Sequence, residues 1–410
     1  MKRYVIIGNG TAAVGCIEGI RSADGAGEIT VISAEDHPVY SRPLISYYLE
    51  GRTDLERMRY RPEGFYGENG CSVMYGKRAV SIDPDKKSVL LDDGTEVGYD
   101  SLCVAAGSRP FVPPFEGLDS VKKRFSFMTL DDALALEQAL RDDARVLIVG
   151  AGLIGLKCAE GIRDRVGKIT VCDLADRVLS SILDPVCAAA VQRHLEDNGI
   201  SFMLGDTAVR FDGGTAYMKS GKTAEFDILV LAVGVRANSE LVKNAGGETN
   251  RGVIVNGKME TTLPDIYAAG DCAEGFDSSL GANRVIAILP NAYMQGHTAG
   301  ANMAGGDEVY DNAVPMNSIG FFGLHMMTCG AYDGEMTEER SDEGIRRFFV
   351  KDGLLRGYIL IGGIDRAGIY TSLVREKTPL DTVDFELMRK VASNLIFSHN
   401  VRRKKFGEAV

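Results

Sequence analysis

The chain begins with the stretch Tyr4-Val5-Ile6-Ile7-Gly8-Asn9-Gly10-Thr11-Ala12-Ala13, an apolar run that ends in glycines. Tyr4 to Ile7 is typical of a buried parallel strand, and the residues behind it fit G-x-G-x-x-A, a dinucleotide-binding fingerprint. Gly8 would permit the tight turn into a helix, Gly10 would let a pyrophosphate approach the backbone, and Ala13 would let the helix press against the strand. A glycine turn after a strand is often only a turn, so the pattern needs support from the rest of the chain.

That support comes from a second copy, Arg145-Val146-Leu147-Ile148-Val149-Gly150-Ala151-Gly152-Leu153-Ile154-Gly155, which is a complete G-x-G-x-x-G. An acidic residue follows each turn at the end of the next apolar strand: Glu35 lies 25 residues beyond Gly10, and Asp173 lies 23 beyond Gly150. Such a carboxylate accepts hydrogen bonds from a ribose and repels a 2′-phosphate. We therefore predict two nucleotide sites, the second of which prefers NADH to NADPH, although the nearby Arg177 could soften that preference.

Bulk composition narrows the class of protein. At 410 residues the chain is long enough for two or three domains, and 45 % hydrophobic with 25 % charged residues is ordinary for a soluble globular protein. A net charge of -11 argues against nucleic acid as the main partner, because phosphate binding needs a basic face. The apolar run behind Met1 is too short for a signal sequence, and no run approaches the roughly 20 apolar residues of a membrane span. We expect a cytoplasmic protein with no membrane partner.

The eight cysteines are widely spaced: Cys16, Cys71, Cys103, Cys158, Cys172, Cys187, Cys272 and Cys329. No two lie closer in sequence than Cys158 and Cys172, which excludes C-x-x-C redox pairs and the short-spaced ligand sets of zinc or iron–sulfur sites. We predict no metal site. Cys103 and Cys172 lie in apolar strand-like runs, where a small buried thiol is the expected role.

Three further segments carry a family resemblance. They are Pro38-Val39-Tyr40-Ser41-Arg42-Pro43-Leu44-Ile45-Ser46-Tyr47-Tyr48-Leu49, then the strand and turn from Tyr99 to Pro110, and Thr261-Thr262-Leu263-Pro264-Asp265-Ile266-Tyr267-Ala268-Ala269-Gly270-Asp271. Together with the two turns, they make the chain resemble the FAD-dependent pyridine nucleotide-disulfide oxidoreductase superfamily. Within it, the resemblance is closest to the NADH:rubredoxin oxidoreductase and nitrite-reductase-like flavoproteins. The segment that carries reactive cysteines in disulfide-reducing members has none here, between Cys16 and Cys71.

The resemblance implies an α/β fold with two dinucleotide-binding Rossmann-like domains, as in glutathione reductase, and a small α+β C-terminal domain. The implied division is a discontinuous FAD-binding domain over 1–114 and 238–312, an NAD-binding domain over 115–237, and the C-terminal domain over 313–410. In the last of these, strands are expected from Ser318 onward and a helix from about Asp384 to Phe397.

The resemblance also implies the cofactors, FAD and NADH, with NADPH the poorer nucleotide. The residues predicted to bind FAD are Gly8, Gly10, Thr11, Ala12, Ala13, Glu35, Arg42, Pro43, Val80, Ala106, Gly107, Arg109, Gly270, Asp271, Asn291 and Ala292. Those predicted to bind the nicotinamide nucleotide are Gly150, Gly152, Leu153, Ile154, Gly155, Asp173 and Gly234. By resemblance, Arg42 and Pro43 line the isoalloxazine and Asp271 bonds the ribityl chain. Ala106 replaces a threonine of the family pattern, which removes one hydroxyl.

Lys157 and Arg42 are the predicted catalytic residues. Relatives carry glutamate where this chain has Lys157 and lysine where it has Tyr47, and those two side chains pair near the flavin. Because both differ here, we hypothesise that Lys157 lies near the flavin or the nicotinamide and stabilises negative charge on reduced flavin. The structural alternative is a lysine that extends from its helix to solvent.

The implied activity is an FAD-dependent NADH:acceptor oxidoreductase, in which nicotinamide C4 delivers hydride to flavin N5 and the flavin passes electrons onward. Without a dithiol, the expected acceptor is a small carrier such as rubredoxin, ferredoxin or another iron–sulfur protein. One alternative is an NADH oxidase that reduces oxygen, and another is an NADH-responsive flavoprotein with a binding or assembly role. The C-terminal domain of such flavoproteins often mediates dimer contacts, so a homodimer is a further expectation.

Overall fold

The computed structural model describes residues 1–390 and Arg403. The helices are α1 (Thr11–Ala23), α2 (Leu44–Leu49), α3 (Phe65–Glu68), α4 (Leu130–Glu137), α5 (Leu153–Ile162), α6 (Pro185–Asp197), α7 (Glu240–Asn244), α8 (Leu289–Met303), α9 (Gly368–Glu376) and α10 (Phe385–Lys390). The strands of the first half are β1 (Arg3–Ile7), β2 (Glu28–Ile32), β3 (Cys71–Met74), β4 (Ala79–Asp83), β5 (Ser88–Leu91), β6 (Glu96–Gly98), β7 (Ser101–Val104), β8 (Ser108–Pro110), β9 (Arg124–Phe125), β10 (Arg145–Val149), β11 (Lys168–Asp173), β12 (Ile200–Leu204) and β13 (Ala208–Asp212). Those of the second half are β14 (Thr215–Met218), β15 (Thr223–Glu225), β16 (Ile228–Leu231), β17 (Val235–Ala237), β18 (Val253–Ile254), β19 (Ile266–Ala268), β20 (Ala273–Asp277), β21 (Ala282–Arg284), β22 (Met316–Phe321), β23 (Leu324–Gly330), β24 (Glu335–Ser341), β25 (Gly344–Lys351) and β26 (Leu354–Gly362).

The chain forms two compact units. The first comprises Met1–Gly275 and Asn283–Tyr310, and the second comprises Phe276–Ala282 and the described residues from Asp311 on. Among the residues that the structure describes, no helix combines the length and apolar character that a bilayer span requires. The predicted three-domain division, with its boundaries at 114, 237 and 312, stays a prediction.

A five-stranded parallel sheet, the first sheet, holds the N-terminal turn. Its order is β19-β7-β1-β2-β3, and the four residues of β1 from Tyr4 to Ile7 are each at most 5 % exposed. The strand β1 is central, flanked by β2 and β7, because its residues are apolar on both faces. The strand β19, far along the chain, completes the sheet beside β7. We call this sheet with α1 and α8 the first module.

A second parallel sheet repeats the arrangement. Its order is β12-β11-β10-β16-β9, with β10 central between β11 and β16. The strand β10 leads through the glycine turn into α5, as β1 leads into α1. We call this sheet with α5 and α6 the second module. Helix α4, which precedes it, begins with a capping box, in which the side chains of Thr129 and Asp132 each accept from the other's backbone N–H group.

One strand differs from its predicted pairing. The alternating pattern from Val73 to Leu91 predicts antiparallel strands, with a hairpin turn at Asp92-Asp93-Gly94. The strands β4, β5 and β6 do form an antiparallel sheet, with that turn between β5 and β6. The prediction is wrong for β3, however, because Val73 pairs in parallel with Val31 of β2. An alternating edge strand has one exposed face whether its neighbour is parallel or antiparallel, so local pattern cannot distinguish the two cases.

The second unit has an antiparallel sheet of order β22-β23-β26-β25-β24. Helix α9 packs on it, with Tyr370, Leu373 and Val374 in the same apolar core as Phe348 and Tyr358. This is the predicted α+β composition. The helix expected from about Asp384 begins at Phe385 as α10, and its predicted continuation to Phe397 lies outside the described residues.

Candidate functional site

The first module contains a cavity of about 590 Å³ at the carboxyl ends of its parallel strands. In open α/β sheets ligands bind at this edge, because the loops that follow the strands diverge there. The cavity wall includes most of the residues predicted for FAD, namely Gly8, Gly10, Thr11, Ala12, Glu35, Arg42, Val80, Ala106, Gly107, Arg109, Gly270, Asp271 and Ala292. These residues come from six separate stretches of sequence, and the fold brings them together around one space.

The N-terminal glycine turn has the geometry of a phosphate-binding turn. Gly8 has φ +109°, and a Cβ at this position would lie 2.2 Å from the carbonyl oxygen of Ala105, so no larger residue fits. A Cβ at Gly10, in contrast, would meet nothing within 4 Å. The space beside Gly10 is therefore open on the cavity side, at the N-terminus of α1, where free N–H groups favour an anion. Ala13, the third position of the pattern, is fully buried beneath the turn.

Glu35, the predicted ribose ligand, is held by two side chains. The Tyr40 hydroxyl donates to its Oε2 at 2.6 Å, and Arg42 forms an ion pair with its Oε1. The structure thus places Arg42 beside the carboxylate of Glu35. The position of Arg42 against the isoalloxazine stays a prediction. The Glu35 side chain keeps 24 % of its surface exposed. It can therefore still accept hydrogen bonds from a ligand in the cavity.

Asp271 also lies on the cavity wall, in the turn that follows β19. Burial raises the pKa of this carboxyl group, and the hydroxyl of Ser108, 3.2 Å from its Oδ2, and the charge of Arg42 partly oppose that rise. The preceding Gly270 has φ +81°, which favours glycine. A half-buried carboxylate beside an open cavity is suited to accept hydrogen bonds from the hydroxyls of a sugar-like chain.

Helix α8 reaches the cavity with its first turn. Pro290 lies in that turn, where its fixed φ suits a helix start, and Leu289 and Ala292 contribute to the cavity wall. Asn291 is 2 % exposed, and its amide nitrogen donates to the carbonyl of Ile286 at 2.9 Å. No described residue bonds the Asn291 Oδ1 atom. The free N–H groups at a helix start would stabilise negative charge on a ligand placed there.

Helices α1 and α8 touch backbone to backbone, a contact that the sequence analysis missed. A Cβ at Gly296 would lie 2.0 Å from the carbonyl oxygen of Ala12, and one at Gly300 would lie 2.0 Å from that of Cys16. On α1, Gly15 and Gly19 face α8 in the same way. A Cβ at Gly15 would lie 2.3 Å from the carbonyl oxygen of Tyr293, and one at Gly19 would lie 2.1 Å from that of His297. Glycines spaced four residues apart on both helices were the available signal. This contact fixes the start of α8 against the glycine turn.

The turn in the second module repeats the first. Gly150 has φ +118°, and its Cβ would lie 2.2 Å from the carbonyl oxygen of Ala232, whereas a Cβ at Gly152 would meet nothing within 4 Å. Gly155 has no room either, because its Cβ would lie 2.0 Å from the oxygen of Gly150. Leu153 and Ile154 are half-buried in the first turn of α5. These five residues form the predicted nicotinamide-nucleotide turn.

Asp173 ends β11 and is held by backbone groups. Its Oδ2 accepts from the Ala151 N–H at 2.7 Å, and its Oδ1 accepts from the Ala175 N–H at 2.8 Å. Each carboxylate oxygen has a second lone pair, so the group can still accept from ribose hydroxyls. Gly234, after β16, has φ +116° and room for a close approach, since its Cβ would meet nothing within 4 Å.

Lys157 projects from α5 and pairs with the buried carboxylate of Glu160. Its ammonium group lies 4.6 Å from the centroid of the Tyr47 ring, on α2. Neither Lys157 nor Pro43, which caps α2, belongs to the wall of the 590 Å³ cavity. At 18 % side-chain exposure Lys157 does not extend freely into solvent. Its catalytic role stays a prediction.

Several wall residues were not predicted. They include Asn9, His37, Tyr40, Lys77, Arg78, Ser108, Met128, Asn238, Glu240, Leu241, Asn244 and Leu289. Arg109 was predicted to contact the cofactor, and it pairs with Glu240 while donating to Asn238 at 2.9 Å. Asn9, Tyr40 and Ser108 belong to the segments quoted above, but the others lie outside any motif, so only tertiary structure brings them to the site.

Burial keeps several of the described cysteine thiols in their neutral form. Burial raises the pKa of Cys71 to about 11 and those of Cys172 and Cys272 to about 12. The structure does bring Cys103 close to Cys16, and a hydrogen bond between them, together with burial, raises the pKa of Cys103 well above its ordinary value. Because the thiolate is the reactive form, these groups are poor nucleophiles near neutral pH.

Comparisons with known proteins agree with this geometry. The family model described as pyridine nucleotide-disulphide oxidoreductase matches residues 2–296. The chain is 32 % identical over 394 residues to the NADH-dependent phenylglyoxylate dehydrogenase subunit epsilon of Aromatoleum evansii, with 92 % of each chain covered. It is 35 % identical over 317 residues to an NADH oxidase of Methanocaldococcus jannaschii, covering 74 % of this chain and 70 % of that one. It is 29 % identical over 307 residues to a rubredoxin-NAD(+) reductase of Pseudomonas putida, covering 73 % and 80 %.

Among solved structures, a ferredoxin reductase from Rhodopseudomonas palustris superposes with a TM-score of 0.87 at 26 % identity. The superposition covers 96 % of this chain and all of that one. The predicted α/β fold is confirmed by this similarity, because the two parallel sheets and the α+β C-terminal part are matched along nearly the whole chain.

Proposed function

Since the chain belongs to the pyridine nucleotide-disulphide oxidoreductase family, we propose that it is an NADH-dependent reductase of an iron–sulfur carrier such as rubredoxin or ferredoxin. Members of this family are FAD-dependent NAD(P)H oxidoreductases, so the chain is a flavoprotein enzyme that binds FAD and NADH. When bound, the flavin accepts a hydride from NADH and releases the electrons to an acceptor. The finer proposal concerns that acceptor.

The observation that carries the proposal is the absence of a cysteine between Cys16 and Cys71, the stretch that includes the Arg42 segment. A disulfide substrate or a peroxide would need a thiolate there to receive the electrons. Among the described residues that line the cavity, none is a cysteine. Electrons would therefore leave directly from the flavin, which suits a carrier that accepts them at the protein surface.

The relatives point in the same direction. A rubredoxin-NAD(+) reductase and a ferredoxin reductase both deliver electrons to small proteins, and the Aromatoleum relative is a subunit of a larger dehydrogenase. We infer that the redox partner of this chain is a protein, either a soluble carrier or another subunit. A homodimer remains compatible with either.

The residues of the chain divide the work between the modules. The open space at Gly10, in the cavity that Glu35 and Asp271 also line, would hold FAD in the first module. The open space at Gly152, with Asp173 beside it, would hold NADH in the second. A 2′-phosphate on NADPH would place its charge against the Asp173 carboxylate, which favours NADH.

A catalytic role for Lys157 is part of the proposal. Its ammonium group is partly buried between Glu160 and the Tyr47 ring, where a cation acts at longer range than in water. Lys157→Ala should slow flavin reduction by NADH in stopped-flow measurements. The control is Lys168→Ala, which removes an exposed lysine of β11. An unchanged reduction rate and NADH affinity in Lys157→Ala would discard the role.

A second candidate function is oxygen reduction, which the similarity to the Methanocaldococcus NADH oxidase favours. The experiment that separates the two is a comparison of acceptors after anaerobic reduction of the protein by NADH. Rubredoxin, ferredoxins of the two common cluster types and oxygenated buffer are each mixed with the reduced protein. Carrier reduction faster than oxygen consumption is the expected result. Rapid formation of peroxide or water with slow carrier reduction would favour the oxidase, and slow turnover with every acceptor would favour a binding or assembly role.

A further inference from the structure

The hydroxyl of Tyr40 stands at the centre of a small polar network on the cavity wall. It donates to Glu35 Oε2 at 2.6 Å and accepts from the Leu130 backbone N–H at 2.9 Å and from Arg42 Nη1 at 3.2 Å. A phenol has one donor and two acceptor positions, so all three are used. Tyr40 itself is only 9 % exposed.

The direction of these hydrogen bonds is fixed by the protonation of Tyr40. Burial raises the pKa of the hydroxyl group above its ordinary value, the positive charge of Arg42 opposes the rise, and the negative charge of Glu35 adds to it. The group is therefore a neutral donor at physiological pH. Its proton can point only to Glu35, because its other two partners are themselves donors.

The backbone around Tyr40 is also anchored. Tyr40 pairs in antiparallel fashion with Arg59, and the neighbouring Ser41 N–H donates to the carbonyl of Met58 at 2.8 Å. These contacts fix the position from which the Tyr40 side chain reaches Glu35. The position of the hydroxyl is thus fixed by the backbone contacts of Tyr40 and Ser41 as well as by its own partners.

The network extends to the start of helix α4. Leu130 is the first residue of α4, so the Tyr40 hydroxyl satisfies one of the N–H groups that have no partner within a helix. Arg42 donates to the carbonyl of Met128 at 3.2 Å, and His37 contacts Asp131 at 2.7 Å. The side chains of His37, Tyr40 and Arg42 therefore all contact residues at the beginning of α4. One of the contacted residues, Met128, lies on the cavity wall.

Glu35 needs this support because its carboxylate turns easily. Rotation about the terminal bond of a glutamate is broad, so one partner does not fix both oxygens. Arg42 holds Oε1 and Tyr40 holds Oε2, and the free lone pairs are thereby directed to the cavity. A ligand hydroxyl would then meet an acceptor that is already oriented, which lowers the entropic cost of binding.

We propose that Tyr40 is a positioning residue for FAD, which orients Glu35 toward the adenosine ribose and locks that orientation to the start of α4. This rests on the assignment of FAD to the first module under the proposed function. Tyr40 acts through Glu35 and does not react.

Tyr40→Phe tests the inference, because it removes one hydroxyl and keeps the buried ring. Apoprotein freed of flavin is titrated with FAD, and the Kd is read from the quenching of FAD fluorescence. We expect the Kd to rise about tenfold, the size of one hydrogen bond to a charged group. The KM for NADH should stay unchanged, because the second module keeps its turn and Asp173.

Tyr48→Phe is the matched control. The Tyr48 hydroxyl of α2 donates to Glu137 Oε2 of α4 at 2.8 Å. Like Tyr40, it therefore bonds to α4, but it does not touch Glu35. Tyr48→Phe should leave the Kd for FAD within about twofold of the wild type. If both variants weakened FAD binding equally, Tyr40 would be only a tether to α4 and the proposal would be wrong.

A double-mutant cycle with Glu35→Gln separates positioning from general destabilisation. If Tyr40 acts through Glu35, the double variant binds FAD no more weakly than Glu35→Gln alone. Additive losses, or an unchanged Kd in either single variant, overturn the proposal. Failure of the proposed function would look different: wild-type protein would bind FAD and oxidise NADH but reduce no iron–sulfur carrier.

Discussion

The turn at Gly8 and the turn at Gly150 impose the same backbone constraint on two different surroundings. In both, a positive φ and a carbonyl oxygen 2.2 Å from the missing Cβ exclude any side chain. The next glycine, Gly10 or Gly152, leaves open space in both. The turn alone therefore specifies a phosphate, and the surroundings must specify which nucleotide carries it.

The acids that follow the two turns are supported in different ways. Glu35 is held by the side chains of Tyr40 and Arg42, which also bind the start of α4. Asp173 is held by backbone N–H groups of its own module, those of Ala151 in the glycine turn and of Ala175 after β11. The side chains that hold the first acid are thus tied to a helix some 90 residues along the chain, whereas the support of the second is complete within its own module. Such a difference suits a cofactor that stays bound and a substrate that exchanges.

The helices after the turns also differ. Helix α1 lies against α8 with glycines on both sides, and α5 has one comparable glycine, Gly161, whose Cβ would lie 2.9 Å from the carbonyl oxygen of Ser46. The closer contact in the first module leaves no tolerance for a methyl group. We expect substitutions there to have the larger effects.

The strongest test of the difference in packing is Gly296→Ala. The added Cβ would lie 2.0 Å from the Ala12 carbonyl oxygen, so the two helices must separate. We expect a loss of about 3 kcal/mol in the free energy of unfolding, together with loss of FAD. Urea unfolding of the purified proteins measures it. Gly67→Ala in α3, where a Cβ meets nothing within 4 Å, is the control, and equal losses in both variants would contradict the role of the close contact.

The assignment of nucleotides is tested by Gly8→Ala and Gly150→Ala. Both substitutions place a side chain where φ is positive and a carbonyl oxygen is too close. We expect this strain to weaken nucleotide binding at the altered turn by roughly tenfold or more. Gly8→Ala should be purified with little flavin, as its absorbance near the flavin bands will show. Gly150→Ala should keep its flavin and bind NADH poorly. The reverse pattern would exchange the two sites and refute the assignment.

A smaller effect is expected from Asp173→Asn. An asparagine oxygen can accept from only one of the two N–H groups, of Ala151 and Ala175, and its amide would face the other with a donor. We expect kcat/KM for NADH to fall about tenfold with unchanged flavin content. The preference for NADH over NADPH should narrow as well. Comparable kcat/KM for the two nucleotides in the wild type would refute the predicted preference.

The smallest effects concern two ion pairs, one in each module. Arg3, at the start of β1, pairs with Asp100 at 3.0 Å, and Arg145, at the start of β10, pairs with Asp227 at 3.1 Å. The hydrogen bond from Arg145 lowers the pKa of Asp227 to about 2, and that from Arg3 lowers the pKa of Asp100. Because the folded-state pKa values are depressed, each pair stabilises the protein above the ordinary aspartate pKa of about 4 and loses this as pH falls through the folded value.

Asp100→Asn and Asp227→Asn should therefore each lower the thermal midpoint slightly at pH 7, and the deficit should shrink at pH 3 and below. Exposed ion pairs contribute little, so a shift of a degree or two is expected. Melting curves at the two pH values measure it. A deficit that stayed constant with pH would show that packing, and not ionisation, explains the loss.

Local patterns were enough to predict the glycine turns, the strands around them and the acids that follow, because each depends on residues within about 25 positions. Contacts across longer separations were not predictable. The hydrogen bond from Leu130 to Tyr40 joins residues that are 90 positions apart in the sequence. The contact of Gly296 with Ala12 joins helices that lie near the two ends of the first unit in sequence. The Arg–Asp pairs joined strand ends without any motif. The parallel pairing of β3 was missed because one strand's alternation does not reveal its neighbour's direction.

The order of the strands in the first sheet has a consequence for synthesis on the ribosome. All five strands of the second sheet lie between Arg124 and Leu231, whereas the first sheet waits for β19, which ends at Ala268, and its cavity waits for the start of α8 at Leu289. During translation the second module can close while the first is still missing one edge. The flavin would thus be captured late, by a nascent chain whose inserted module is already folded.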